Sequence, residues 1–258
     1  MRGLGYKRDV RNDKERHFGA HRFAAADVPE FASVDTGVAP KDQGQTSSCV
    51  GNSWAQAMRM ALGSSCPELS ALDVYRIARN LDGTPGDDGS QLRSGADAIR
   101  RLGVALEQDW PFSEALVNAQ PTFGARHSAY DLGGTHGYYR IADGATPDWQ
   151  RALANGLPVV AGWTVSESFC SSDGRGIVGP QAGLVPAGGH AICCVGYGSS
   201  DHFAATVPGF APDQAHPLLF ELVNSWGPGW GYSGRFFALP SFIAEASDAW
   251  AVDAKGAP

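Results

Sequence analysis

The apolar residues change their period midway along the chain, and that change limits the fold more than any other feature. Up to about residue 155 they recur at helical spacing. From 157 onward they gather in short runs bounded by glycine. Val50, Trp54, Ala57, Met58 and Ala61 share one face of a helix starting near Cys49, with Ser47 or Ser48 available as N-cap. A second helix begins at Ser70, with Asp73 three residues later as an acidic variant of the capping box. Its buried stripe is Leu72, Tyr75, Ala78 and Leu81. A third places Leu92, Ala96, Ile99 and Leu102 on one face and stops at Gly103. Thr146-Pro147 opens a short helix that Gly156 ends. Residues 157–165, 190–197, 219–226 and 235–239 read as strands. Helices first and strands second predict an α+β fold in two lobes.

The 258 residues suffice for a core without disulfide or metal staples, and 33 glycines with 16 prolines argue for many loops. The net charge is −7, with no basic stripe beyond the first 22 residues, which argues against a nucleic-acid partner. No apolar run approaches the ~18 residues of a membrane span, and the start of the chain lacks a signal-peptide core. A cytoplasmic protein is expected, or one exported without a classical signal peptide, as a bacterial effector would be. No cofactor and no metal are expected. His190, Cys193, Cys194 and His202 do not make a zinc set, because adjacent cysteines face opposite ways on a strand. Asp82, Asp87 and Asp88 lack calcium-loop spacing and read as a solvated acidic loop.

There are five cysteines, so at least one thiol stays outside any intramolecular pair. Cys49 stands at a helix start, where amide N–H groups and the helix dipole favour a thiolate. Gln43 lies six residues upstream in a flexible loop. His190 follows Gly188-Gly189 and starts an apolar strand. Asn224 lies within another and needs a partner if buried. A thiol, an imidazole and an orienting amide are the components of nucleophilic catalysis on a cysteine framework.

Three segments carry a resemblance: D-Q-G-Q-T-S-S-C-V at 42–50, G-G-H-A-I-C-C-V-G-Y-G at 188–198 and V-N-S-W-G-P-G-W-G at 223–231. They resemble the signature blocks of papain-like cysteine peptidases, in the right order. Cys49 and His190 are 141 positions apart (190 − 49), inside that family's window. Asn224 comes later than usual, which suggests a loop insertion at 199–218. The flavour is similar to that of bacterial members without a long propeptide. The sequence departs from the family at Val50, where tryptophan is usual, and at Thr46, where a disulfide cysteine is usual. Cys66 and Cys170 are open to pairing.

The resemblance implies a two-lobed papain-like fold with a cleft between the lobes. It divides the chain into a leader (1–38), a helical lobe carrying the cysteine (39–135) and a β-barrel-like antiparallel lobe carrying His190 and Asn224 (136–258). It implies Cys49 as nucleophile, His190 as its base, Asn224 as the orienting group and Gln43 as an oxyanion donor. Trp226, Gly89 and Ser90 would line the substrate. The expected partner is a peptide or protein substrate, with the leader or an immunity protein as inhibitor. Acyl transfer on a dedicated substrate and a silent binding module are the competing readings.

Overall fold

The computed structural model describes residues 2–12, 15–19, 28–63, 65–129 and 137–254. Its first half is built on three helices: α1 (Cys49–Leu62), α2 (Ala71–Asp82) and α3 (Leu92–Leu102). The α1 stripe of Val50, Trp54, Ala57, Met58 and Ala61 is buried as its spacing predicts. Gly51 lets α1 and α2 touch, since a Cβ there would stand 2.3 Å from the Ala71 carbonyl oxygen. In α2 and α3 the stripes end one residue early. Leu81 and Leu102 stand in the last turns and are about half exposed (45% and 52%), beyond the edge of the lobe.

Local capping departs from expectation at one point. The Ser70 hydroxyl accepts the Asp73 N–H at 3.2 Å, but the Asp73 carboxylate does not return to Ser70. It accepts the Ala105 N–H at 2.8 Å and pairs with Arg126 instead, while the Ser70 N–H is taken by the Ala105 carbonyl. Asp73 therefore ties two segments together across sequence rather than closing its own cap. The acidic loop is likewise not merely solvated. Asp87 accepts the Ser47 N–H at 3.0 Å and the Tyr75 hydroxyl at 2.8 Å, bracing the loop just before Cys49.

Short helices α4 (Phe123–His127), α5 (Thr146–Ala154), α6 (Glu167–Ser171), α7 (Ser200–Thr206) and α8 (Pro240–Ala244) follow. The expected loop insertion thus contains α7. Ser199 caps it, and Phe203 and Phe210 pack on Phe237.

The strands are β1 (Tyr6–Lys7), β2 (Ala32–Ser33), β3 (Ser90–Gln91), β4 (Gly137–Arg140), β5 (Val159–Ser166), β6 (Ile177–Val178), β7 (Pro186–Gly198), β8 (Leu219–Val223), β9 (Arg235–Ala238) and β10 (Asp248–Asp253). Among the described residues, eight of them form one sheet in the order β4-β10-β5-β7-β8-β9-β6, with β2 on β7. The sheet is open rather than a closed barrel. Its β6–β9 pair is parallel, and the others are antiparallel.

β7 is the hinge of the architecture. It starts at Pro186, so His190 stands inside the strand rather than at its start. Alternation sends Ala191, Cys193 and Val195 into the core shared with α1, and Ile192 and Cys194 into the core of the β-rich half. All five cysteines are free thiols, so Cys66 and Cys170 are not bridged.

The start of the chain is woven into both halves. β1 pairs in parallel with β3, and β2 pairs with β7. Phe18 is buried, and its N–H reaches the Arg140 carbonyl at 2.7 Å.

Candidate active site

Cys49 is the first residue of α1 and is fully buried. Its N-cap Ser48 does not use its side chain on the helix end. That hydroxyl bonds Thr46 Oγ1 at 2.7 Å and takes an N–H from Asn52 at 2.9 Å. The first-turn amides are thus left facing the thiol. α1 lies against β7 at Ala191: the Ser53 hydroxyl, one turn below Cys49, donates to the Ala191 carbonyl at 2.9 Å. Cys49 accordingly stands beside the residue that follows His190.

Asn224 lies one residue beyond the end of β8, not within it. His190 Nε2 and Asn224 Oδ1 are 2.8 Å apart, and the Ser225 N–H donates to the same oxygen at 2.8 Å. That oxygen can only accept, so the Nε2 atom carries the proton in this contact. The other ring nitrogen, Nδ1, is buried without a hydrogen-bond partner. Trp226 stacks on the imidazole, with centroids 4.8 Å apart and planes at 20°. His190 and Asn224 are both buried beside it.

Gln43 is fully buried. Its carbonyl end accepts from the Ser225 hydroxyl, and its backbone N–H reaches the Ser225 carbonyl at 2.9 Å. Its amide nitrogen donates to two carbonyls, Thr46 at 2.8 Å and Gly3 at 3.1 Å. Asp42 and Trp226 bridge alongside, so the Gln43 loop and the tryptophan turn support each other.

The Gly3 contact belongs to a continuous run of leader across the site. The Gly5 N–H reaches the Gly189 carbonyl at 2.9 Å, and the Ser90 N–H reaches the Gly5 carbonyl at 2.8 Å. Gly89 has φ +84, and a Cβ there would stand 2.0 Å from the Gly5 oxygen. Gly89 and Ser90 therefore border a backbone strand lying over Cys49. The Arg2 guanidinium lies over Trp226 at 4.8 Å. Beside it a groove of about 900 Å³ is bordered by Leu4, Asp42, Cys170, Trp226 and Trp230.

Burial drives both Cys49 and His190 toward their neutral forms. Burial pushes the Cys49 thiol up to about 12, against the opposing pull of the Ala191, Val50 and Gly5 amides. Burial also lowers His190 to about 4, which the Asn224 contact only partly offsets. Among the described residues, no cluster of His, Cys, Asp or Glu is placed to hold a metal, and no helix is long and apolar enough to cross a membrane.

The structure brings together every sequence-predicted site residue: Cys49, His190, Asn224, Gln43, Trp226, Gly89 and Ser90. Sequence reasoning missed the leader residues Gly3, Gly5 and Tyr6, and their docking partners Gly162, Gly189 and Asp248. The R-G-L-G-Y run at 2–6 and the Gly188-Gly189 pair were the available signals. Side chains at Gly3, Gly5 or Gly189 would strike backbone carbonyl oxygens at 1.9–2.0 Å.

A buried helix-start thiol, an asparagine-bound imidazole and an interlobe cleft define a thiol-hydrolase architecture. Residues 32–241 match the sequence profile of the Papain family cysteine protease, and the chain belongs to that family. It is 29% identical over 246 residues to an uncharacterized peptidase C1-like protein of Acanthamoeba polyphaga mimivirus, covering 88% of this chain and 73% of that one. In fold it is similar to xylellain, a cysteine protease from Xylella fastidiosa (TM-score 0.81, 24% identity, 100% and 97% of the two chains). A digestive procathepsin L 3 of Tenebrio molitor larval midgut shares the fold at TM-score 0.73 (20% identity, 97% and 75%).

Proposed function

We propose that this chain hydrolyses peptide bonds through Cys49, His190 and Asn224, with Gln43 and the Cys49 N–H as oxyanion donors. The observation that carries the reading is the 2.8 Å His190–Asn224 contact, which leaves Nδ1 as the ring nitrogen without a hydrogen-bond partner, on a strand packed against α1. Cys49 Sγ, its proton passed to His190 Nδ1, attacks the substrate carbonyl carbon. The tetrahedral oxyanion is held by the Gln43 amide, a donor worth about 3 kcal/mol in the transition state. Collapse forms a thioester as the C–N bond breaks, and His190 gives its proton to the departing amine. Water, deprotonated by His190, then cleaves the thioester and restores the thiol. Asn224 holds the ring in place, and Trp226 keeps that hydrogen bond dry.

In this reading the leader acts as the inhibitor. The Gly3 carbonyl takes the Gln43 amide, and the Gly5 backbone takes the Ser90 and Gly189 groups. A substrate must displace residues 2–6 before it meets Cys49. The division into leader, helical lobe and β-rich lobe follows this functional partition. Mass spectrometry of peptide mixtures incubated with the full chain tests the reading. Cleavage products from wild type and none from Cys49→Ala are expected; equal cleavage by both, or none by either after the leader is displaced, overturns it.

A further inference from the structure

Two loops border the site, and no disulfide joins them, since all five cysteines are free. One is the turn at 43–48 that carries Gln43 and leads into Cys49. The other runs from 83 to 90 and ends in Gly89 and Ser90. A hydrogen-bonded path links the two. The Gly89 N–H donates to the Tyr75 hydroxyl at 2.9 Å, and that hydroxyl donates its one proton to Asp87 Oδ1 at 2.8 Å. The Ser47 N–H donates to the same carboxylate, 3.0 Å from Oδ1 and 3.2 Å from Oδ2. A carboxylate only accepts, so the direction of every bond is fixed, and successive bonds polarise one another.

The path is anchored on α2. Tyr75 is fully buried there, where a Cβ on Gly51 of α1 would stand 2.7 Å from the Tyr75 Cβ. Burial and the Asp87 carboxylate both push the Tyr75 phenol well up, so the hydroxyl keeps the proton it donates. Arg79, one turn further on, lies 4.3 Å over the Tyr75 ring and donates to the Gly86 carbonyl. Arg76 donates to the Pro85 carbonyl at 2.7 Å. The second loop is thus fixed to α2 on either side of Asp87. Beyond Ser47 the path continues through Thr46, whose carbonyl accepts from the Gln43 amide and whose hydroxyl donates to the Gln43 carbonyl, both at 2.8 Å.

We propose that Asp87 and Tyr75 are positioning residues that set the spacing between the Gly89–Ser90 edge and the Gln43 oxyanion donor. The inference rests on the peptidase reading above, and neither side chain touches substrate in it. The Ser90 N–H now holds the Gly5 carbonyl at 2.8 Å and would hold a substrate backbone in the same way. A peptide pinned at that edge brings its scissile carbonyl to Gln43 only if the two loops keep a fixed separation. Misplacing a reacting group by about 1 Å can cost on the order of a hundredfold in rate. The loss falls on kcat, because the oxyanion develops only in the transition state. At saturating peptide the leader has already been displaced, so its affinity enters KM.

A residue that merely stabilises the fold lowers kcat by one factor whether or not Gln43 can donate. A residue that acts through Gln43 loses its effect once Gln43 is gone. The test is therefore kcat of the full chain on a saturating fluorogenic peptide, with and without Gln43→Ala. Asp87→Ala alone should lower kcat about thirtyfold, and less than about threefold when added to Gln43→Ala. Asp87→Asn keeps an oxygen for the Ser47 N–H and should stay within about fivefold of wild type. Tyr75→Phe keeps the ring in the core and carries the test if Asp87→Ala does not fold. Its loss should be about fivefold alone and under about twofold beside Gln43→Ala. Equal factors with and without Gln43, or unchanged kcat in Asp87→Ala and Tyr75→Phe, overturn the positioning role and leave the peptidase reading standing. No turnover by the wild-type chain overturns both.

Discussion

The side-chain amide of Gln43 donates to the backbone carbonyl of Gly3 at 3.1 Å, so the donor proposed for a substrate oxyanion is occupied by the protein's own chain. The contact is close because neither Gly3 nor Gly5 has a side chain. A Cβ on either would stand 1.9 Å from the Thr46 or Ser47 carbonyl oxygen. Gly3→Val and Gly5→Val should therefore lift residues 2–5 out of the cleft while the anchored residues beyond stay in place. Alkylation of Cys49, followed by intact mass, should accelerate about tenfold or more. An unchanged rate would show that the leader is not what limits access.

The fold should weaken in acid through His190. Its pKa is lowered to about 4 by burial, against 6.5 when exposed. A depressed base is neutral in the folded state, so its support is full above pH 6.5 and is lost as pH falls toward 4, by about 3 kcal/mol in all. Tm followed from pH 7 to pH 4 should fall less in His190→Gln than in wild type. An equal fall would assign the loss to other groups.

Asn224→Ala should lower kcat by about a hundredfold through loss of the ring's orientation, with KM little changed. The variant leaves His190 Nε2 without its 2.8 Å partner, while Trp226 still holds the ring plane. Steady-state kinetics on any cleaved peptide checks this. A fall confined to KM would place Asn224 in substrate binding instead.

Glu221 on β8 should make the fold less stable as pH rises. Burial pushes its carboxyl up to about 7; Arg235 opposes that shift and Asp35 adds to it. A raised acid supports the fold fully below its unfolded value near 4.5 and progressively less up to 7, by about 3 kcal/mol in all. Glu221→Gln should flatten that part of the Tm-against-pH curve. An identical slope in the variant would assign it to other groups.

Much of the site was legible because its chemistry is tied to chain-local patterns. Cys49 stands at a helix start marked by Ser48 and the stripe from Val50 to Ala61. His190 and Asn224 lie in or next to apolar strands between glycines. What escaped was long-range. Asp73 caps toward Ala105, Asp87 braces Ser47, and Tyr6 reaches Asp248 across almost the whole sequence. Apart from the glycines at 3 and 5, nothing in the spacing of residues 2–9 distinguishes a strand in a cleft from a trailing polar end. The ionic state also depended on burial. The helix start favours a thiolate, but desolvation by burial outweighs it and leaves the Cys49 thiol at about 12.

The most direct test of the central claim is the intact mass of Gly5→Val after exposure to a thiol-directed peptidyl epoxide, with Cys49→Ala in the same background as control. One covalent adduct is expected, mapped to Cys49 and absent from the control, formed faster than in wild type. An adduct on Cys66 or Cys170 alone, or none on a folded protein, would contradict it.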